Sequence, residues 1–402
     1  MKILFLTDNF PPEVNAPATR TYEHCQEWIK DKDVEVTVIT CAPNFPHGKV
    51  YKGYKNKFFQ KENIDGINVI RVWSYISSNS GFTKRVLDYI SYASMAFLVG
   101  IFQKHDVIIA TSPQFFTTWA GWALSKVKRK PWIFELRDLW PETIKTVGAM
   151  KQGKIIEILE KIELALYRSA DKVIPVTDAF KVNLIHRGID AHKISVVTNG
   201  SNNDLFHGQS KDKQLLNDLR LTNKFIVGYI GTHGMCHGLD FIVQSLAKIK
   251  DKEIHFLFIG DGAMKESIVK LSEELALKNI TFLDAISKDD VPRYLSICDI
   301  SLAPLKNEGN FRTVIPSKIF EAAAMQKPTL LGVRGQAQKI IEKHNAGICF
   351  EPENEDDFIV KLLLLRDEKI YTACQKGCLE LAKMYDRKKL AKEMLTLVKS
   401  IV

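Results

Sequence analysis

The stretch Arg312-Thr313-Val314-Ile315-Pro316-Ser317-Lys318-Ile319-Phe320-Glu321 sets a lysine and a glutamate one helical turn apart behind a Pro-Ser helix start. A lysine in the first turn opposes the positive end of the helix dipole unless an anion shares the site. Lys318 is therefore a candidate phosphate ligand, with Arg312, Pro316 and Ser317 beside it. Glu321 has two oxygens with which to accept two hydroxyls of a ribose. An exposed Lys–Glu helix pair is the plainer reading of the same two residues. Upstream, Gly228-Tyr229-Ile230-Gly231-Thr232-His233-Gly234-Met235-Cys236-His237-Gly238 closes a strand. Glycines there let a backbone approach a diphosphate, which makes Gly231, Thr232 and His233 candidates for the same ligand. Gly260-Asp261-Gly262 ends the next strand and reads either as a nucleotide neighbour or as a plain turn. His233 and His237 stand four apart between glycines, with no acid in a zinc-ligand pattern, so no metal is expected.

The first half offers a different set. Asp8-Asn9-Phe10-Pro11-Pro12-Glu13-Val14-Asn15-Ala16-Pro17-Ala18 is a strand-end loop leading into a helix, and Asn15, Ala16 and Pro17 are its candidates for contact with a second substrate. It lacks a Gly-x-Gly-x-x-Gly fingerprint, which argues against a standard dinucleotide site. Glu135-Leu136-Arg137-Asp138-Leu139-Trp140-Pro141-Glu142 crowds four charges against an apolar strand. A buried Arg–carboxylate pair accounts for part of this. At a strand's carboxyl end, Arg137 and Asp138 also have the chemistry to position a phosphate or a sugar hydroxyl. Asp31-Lys32-Asp33 has the spacing of a metal-holding pair, but it precedes a strand, at the wrong end of the sheet, and reads as solvated charge. No nucleophile or paired carboxylates for double displacement stand out.

These residues need strand ends to hold them, and the pattern supplies strands. Short β-branched runs at 2–7, 34–40, 67–73, 106–111, 132–136, 172–176 and 194–197 alternate with helical patterns at 19–29, 83–103, 115–128, 154–169 and 179–187. After a polar stretch at 199–204 the alternation restarts, with strands at 225–230, 254–259, 280–283, 300–303, 329–333 and 347–350. This is βαβ logic repeated twice, and it predicts two doubly wound parallel sheets with ligands at the carboxyl ends of their strands.

Bulk properties agree with a cytoplasmic globular protein of two or three domains. Residues 1–200 carry 27 Lys and Arg against 20 Asp and Glu, while 201–402 carry 29 against 27, so the positive excess sits in the first half. That bias suits an anionic surface near that half. The seven cysteines form no Cys-x-x-Cys pair and read as reduced thiols. The opening Met-Lys-Ile-Leu-Phe-Leu-Thr-Asp is too short and too polar for a signal peptide. Val86–Phe102, interrupted by Asp88, Ser91 and Ser94, falls short of a membrane span of about 20 residues and reads as a buried or membrane-surface helix.

In order along the chain, Phe10-Pro11-Pro12, Arg137-Asp138-Leu139-Trp140-Pro141, Thr198-Asn199-Gly200-Ser201-Asn202-Asn203-Asp204-Leu205-Phe206, Phe258-Ile259-Gly260-Asp261-Gly262 and Pro316-Ser317-Lys318-Ile319-Phe320-Glu321 resemble the retaining glycosyltransferases of family four. The resemblance runs over essentially the whole chain. It is nearest to the branch that adds N-acetylated deoxyamino sugars, such as N-acetylfucosamine, in O-antigen and capsule synthesis. It implies an α/β GT-B fold: two Rossmann-like domains facing across a cleft, with an acceptor domain at 1–205, a donor domain at 206–386, and a C-terminal helix at 387–402 packed back on the first. It implies a UDP-sugar donor, a lipid-linked saccharide acceptor on polyprenyl diphosphate, and peripheral attachment to the anionic inner face of a bacterial cytoplasmic membrane. No cofactor and no nucleic acid are expected.

Residue by residue, Glu321 falls on the second glutamate of the family's Glu-x-x-x-x-x-x-x-Glu motif, which holds the donor ribose, and Thr313 stands where the first would be. Thr232 and His237 occupy the positions of a common arginine and lysine, which leaves the diphosphate charge to Lys318, Arg312 and backbone N–H groups. Arg137-Asp138 stands at the family's His-Asp pair, a loss that fits a 6-deoxy donor sugar. The resemblance assigns Lys318, Arg137 and Asp138 to catalysis. The acceptor would attack from the face the diphosphate leaves, and the diphosphate would take its proton. Two other readings stand beside this one: a nucleotide-sugar 2-epimerase of the same layout, and a non-catalytic nucleotide-sugar-binding assembly protein.

Overall fold

A computed structural model describes residues 1–45, 47–76, 82–112, 114–139 and 153–402, so Trp140, Pro141 and Glu142 lie outside the described residues. The chain divides into two compact units, Met1–Asn199 with Arg387–Val402, and Gly200–Asp386. The second unit thus starts six residues ahead of the 206 read from the sequence. Ser201 pairs with Asp386, and Asn203 Nδ2 donates to Ala382 O at 2.9 Å, so the polar stretch is spent on the second unit.

In unit 1 the strands are β1 (Lys2–Leu6), β2 (Glu35–Cys41), β3 (Phe59–Ile64), β4 (Ile67–Val72), β5 (Val107–Thr111), β6 (Trp132–Leu136) and β7 (Lys172–Pro175). They form one sheet in the order β3-β4-β2-β1-β5-β6-β7. All pairs are parallel except the β3–β4 hairpin, whose two-residue turn has Asp65 at φ 49° and Gly66 at φ 90°. β3 is absent from the sequence reading because its residues, Phe-Gln-Lys-Glu-Asn-Ile, bury no continuous apolar face. Conversely, the strand expected at 194–197 makes only an isolated bridge, Val173 to Ile194. Alternation sends Leu4 and Leu6 into one core and Ile3 and Phe5 into the other, so both faces of the sheet are covered. The second of these cores is completed by Leu390, Ala391, Met394, Leu395 and Val398 of the helix Arg387–Lys399, whose Ala391 O accepts from Trp28 Nε1 at 2.7 Å.

In unit 2 the strands are β8 (Phe225–Ile230), β9 (Ile254–Ile259), β10 (Ile280–Leu283), β11 (Ile300–Pro304), β12 (Thr329–Gly332) and β13 (Gly347–Cys349). They form a wholly parallel sheet in the order β10-β9-β8-β11-β12-β13. Each sheet therefore reverses its winding once, at β1/β5 in unit 1 and at β8/β11 in unit 2. Doubly wound sheets open a ligand crevice at such a reversal, beyond the carboxyl ends of the strands.

Candidate active site

In unit 2 the residues singled out from sequence gather at the β8/β11 reversal. Gly231 leaves β8 with its N–H on Ile259 O at 2.9 Å, and His233 N donates to Asp261 O at 2.8 Å. The loop after β8 is thereby laced to Gly260-Asp261-Gly262 after β9. The packing is backbone on backbone: a Cβ on Gly260, at φ +149°, would sit 1.9 Å from Gly231 O. From the other side, Lys306 N after β11 donates to Cys236 O at 2.9 Å.

Lys318 is the first residue of the helix Lys318–Ala324, and Ser317 at its N-cap makes no side-chain cap hydrogen bond. The ammonium of Lys318 is sealed from solvent without a hydrogen-bond partner, 3.6 Å above the centre of the Tyr229 ring. A Cβ on Gly231 would come within 3.2 Å of it, so the absent side chain keeps this space open. Burial pulls the Lys318 pKa down to about 7, with Glu321 opposing the shift. The cation–π contact therefore replaces only part of its lost hydration. Glu321 is not its partner: Glu321 pairs with Lys288, so the exposed Lys–Glu helix pair is not what forms.

The remaining candidates divide. His233 is fully buried against Tyr229 and Phe258, both ring nitrogens lack partners, and burial with nearby Lys265 and Lys318 drops its pKa to about 4. Its backbone joins the loops while its ring faces the core. His237 also falls to about 4, mainly by burial. Thr232 is exposed, and its carbonyl accepts from Tyr229 Oη at 2.6 Å. Arg312 is exposed in the short turn Gly309–Thr313, ahead of Pro316 and Ser317. Among the described residues no group of three His, Cys, Asp or Glu is placed to hold a metal ion.

In unit 1, Arg137 and Asp138 follow β6, and both backbone N–H groups point to Ser112 Oγ after β5, at 2.8 and 3.4 Å. Arg137 Nη1 donates to Pro17 O at 3.3 Å, which joins it to the acceptor-side candidates. Burial lowers the Arg137 pKa to about 10 and raises that of Asp138 to about 6. Asn15, Ala16 and Pro17 need correction as loop residues. The helix runs Ala16–Trp28, three residues longer at its start than the sequence reading, because Asn15 caps it by accepting from Ala18 N at 2.9 Å and Pro17 suits the first turn. The buried Arg–carboxylate pair is Arg20 with Glu135, at 2.9 Å, not Arg137 with a neighbour. Arg20 also holds the carbonyls of Val197 and Thr198. Asp31, of the Asp-x-Asp spacing, pairs with Lys399 at 2.6 Å.

Sequence reasoning passed over two acids and their partners. Asp8, the first carboxylate beyond β1, accepts from the side chains of Asn9 and Gln114, and Gln114 leads the helix Phe115–Lys128 after β5. The β1/β5 reversal is thus bridged by a carboxylate and a carboxamide. Burial, reinforced by Glu13, raises the Asp8 pKa to about 7. Burial also raises that of Asp88, to about 6. The position of Asp8 after the first strand was a usable signal. The pairing of Lys288 with Glu321, across 33 residues, left none.

Two family models match this chain: the Glycosyl transferase 4-like domain over residues 16–200 and Glycosyl transferases group 1 over residues 224–368. The chain is 25% identical over 371 residues to the candidate colanic acid biosynthesis glycosyl transferase WcaI of Escherichia coli K12, covering 89% of this chain and 90% of that protein. It is 26% identical over 235 residues to the candidate teichuronic acid biosynthesis glycosyltransferase TuaH of Bacillus subtilis 168, covering 56% of each. Its fold matches Anabaena HepE in complex with UDP and glucose, with TM-score 0.74 at 16% identity over the full length of both chains. It also matches sucrose-phosphate synthase of Thermosynechococcus elongatus, with TM-score 0.79 at 17% identity over 99% and 98% of the two chains. The chain is a glycosyltransferase of the GT4 family with the GT-B fold, two Rossmann-like α/β units.

Proposed function

We propose that the chain is a retaining transferase that moves an N-acetylated amino or deoxyamino sugar from a UDP-sugar to a polyprenyl-diphosphate-linked glycan in O-antigen or capsular polysaccharide synthesis. The observation that carries the donor half is Lys318: a sealed, unpartnered ammonium at a helix N-terminus, facing Gly231, whose missing side chain leaves it room. A diphosphate supplies the anion that this arrangement lacks. As the bond from the sugar's anomeric carbon to the diphosphate oxygen breaks, Lys318 and the helix N–H groups stabilise the charge that develops there. The acceptor hydroxyl bonds to that carbon from the same face, and its proton passes to the departing diphosphate oxygen. Gly231, Thr232, His233, Gly260, Gly262, Arg312, Pro316 and Ser317 line or shape the donor site, and Glu321 takes the ribose. No metal is needed in this scheme. The acceptor engages unit 1 near Asp8, Arg137 and Asp138.

Membrane attachment rests on the helix Phe82–Ile101. It leaves Leu87, Ile90 and Leu98 exposed, with Phe102 83% exposed just beyond it, and the exposed Lys84, Arg85 and Lys104 lie nearby in sequence. Apolar side chains with a basic fringe suit an anionic bilayer. Among the described residues no helix is long and apolar enough to cross a membrane.

One experiment tests the reading. Purified protein is incubated with candidate UDP-sugars and a polyprenyl-diphosphate saccharide in anionic vesicles, and transfer, product anomer and co-sedimentation are followed. Retained configuration is expected, with Lys318→Ala slowing transfer by about 10²–10³-fold. Inverted product would overturn the mechanism, protein left in the supernatant at low salt would overturn the attachment, and full activity in Lys318→Ala would remove Lys318 from the site.

A further inference from the structure

The partner of Glu321 comes from elsewhere in the sheet. Lys288 lies beyond β10, ahead of the helix Val291–Ile297, and its ammonium reaches Glu321 Oε1. The same ammonium rests 4.8 Å over the ring of Phe206, which is itself 1% exposed. Two fixed groups from separate parts of unit 2, a carboxylate on a helix and a ring anchored in a core, therefore restrain one flexible side chain. Neither ion-pair partner is buried outright: the side chains are 29% and 14% exposed. A pair held this firmly on an accessible surface differs from a mobile surface salt bridge, because its geometry is set before anything binds. Only Oε1 is engaged. Among the described residues Oε2 accepts no hydrogen bond.

We propose that Lys288 is a positioning residue for the donor nucleotide: it pins Glu321 by one oxygen so that the carboxylate presents its free oxygen, in a fixed orientation, to the ribose hydroxyls. The inference rests on the ribose reading of Glu321. A carboxylate oxygen accepts a ribose hydroxyl well only when it is correctly turned. The adjacent ammonium holds one of its oxygens, and the ring of Phe206 fixes the ammonium. Without Lys288, Glu321 keeps its place on the helix but regains rotamer freedom, which ligand binding must then remove.

The test compares UDP with 2′,3′-dideoxy-UDP, by calorimetric binding to the whole protein. The wild type is expected to favour UDP by about 10-fold or more, a discrimination that comes from the hydroxyls alone. Lys288→Met is expected to reduce that ratio to within about 3-fold of unity, chiefly by weakening UDP, and to raise donor KM more than it lowers kcat. Lys288→Arg is expected to restore most of the ratio, which a purely structural role would not require; thermal melting of each variant checks folding. An undiminished ratio in Lys288→Met, or tighter UDP binding as expected of a latch that competes with ribose, would overturn the inference. Glu321→Gln separates the two claims. If it preserves the ratio, the ribose reading of Glu321 itself has failed. If it abolishes the ratio while Lys288→Met does not, only the role of Lys288 has failed.

Discussion

Where β8 and β9 end, the chain meets itself through backbone: Gly260 lies against Gly231 O, Gly262 against the backbone of His233, and a single ammonium occupies the space that Gly231 leaves. Where β1 and β5 end, the chain meets itself through side chains: Asp8 with Asn9 and Gln114, Arg137 with Pro17 O, Asn15 with Asn9. The two reversals have the same topology and opposite chemistry. On the function proposed above, closely packed backbone, one lysine and the free oxygen of Glu321 meet a diphosphate and a ribose, which recur unchanged from donor to donor. A surface of carboxyls and carboxamides, with Asp8 pushed up to about 7 and Asp138 to about 6, suits neutral hydroxyls, whose arrangement differs between acceptors.

The largest break in this comparison is Gly260→Ala. The new Cβ meets a backbone oxygen that cannot swing away, at a φ that side-chain-bearing residues avoid. A loss of about 3 kcal/mol or more is expected in denaturant unfolding, together with loss of UDP binding. An unchanged midpoint would show that the backbone contact can relax, and the contrast between the two crevices would weaken.

That prediction draws on a part of the molecule that was legible in advance. Among the described residues, apolar runs and helical periods located twelve of the thirteen strands because parallel strands bury both faces. The strand-end glycines and Lys318 were legible because φ and the helix dipole constrain residue type locally. β3, polar on alternate positions at a sheet edge, carried no such mark. Helix Ala16–Trp28 began at a cap and a proline that were visible but read as loop. Lys288 with Glu321, Arg20 with Glu135, and Asp8 with Gln114 were out of reach as pairs, because which distant side chains meet is decided by sheet order, and strand alternation alone does not specify that order.

Asp8→Asn sharpens the comparison from the other side. The folded carboxyl titrates near 7 and the unfolded one near its ordinary value of 3.8, so the native state holds the extra proton between them. The stability this contributes is complete below about pH 4 and is lost as pH rises to about 7. Asp8→Asn is expected to remove about 2–4 kcal/mol of that decline, measured as unfolding free energy against pH. It is also expected to raise acceptor KM by roughly 10-fold while UDP affinity stays within about 2-fold. Equal damage to both substrates would mean that the division of labour is not located at Asp8.

The smallest effect is expected at Asp31→Ala. Its exposed pairing with Lys399 lies beyond the helix Ala16–Trp28, ahead of β2 and away from the strands' carboxyl ends. An unchanged melting temperature and unaltered transfer are expected from melting and rate measurements. A large loss of activity restored by a divalent cation would reopen Asp31-x-Asp33 as a metal pair.

The helix Arg387–Lys399 has a consequence for how the chain is made. Trp28, Ile3 and Phe5 leave the ribosome well before the Leu390, Ala391, Met394 and Val398 side chains that cover their core. All of Gly200–Asp386 is translated in between. At about 5–20 residues per second, that interval is on the order of ten seconds or more. Throughout it the nascent first unit lacks the helix that completes this core. Its second neighbour has every residue it needs as soon as Asp386 emerges. Unit 1 is therefore completed after unit 2, and its period of greatest exposure to chaperones and to aggregation falls while unit 2 is being built.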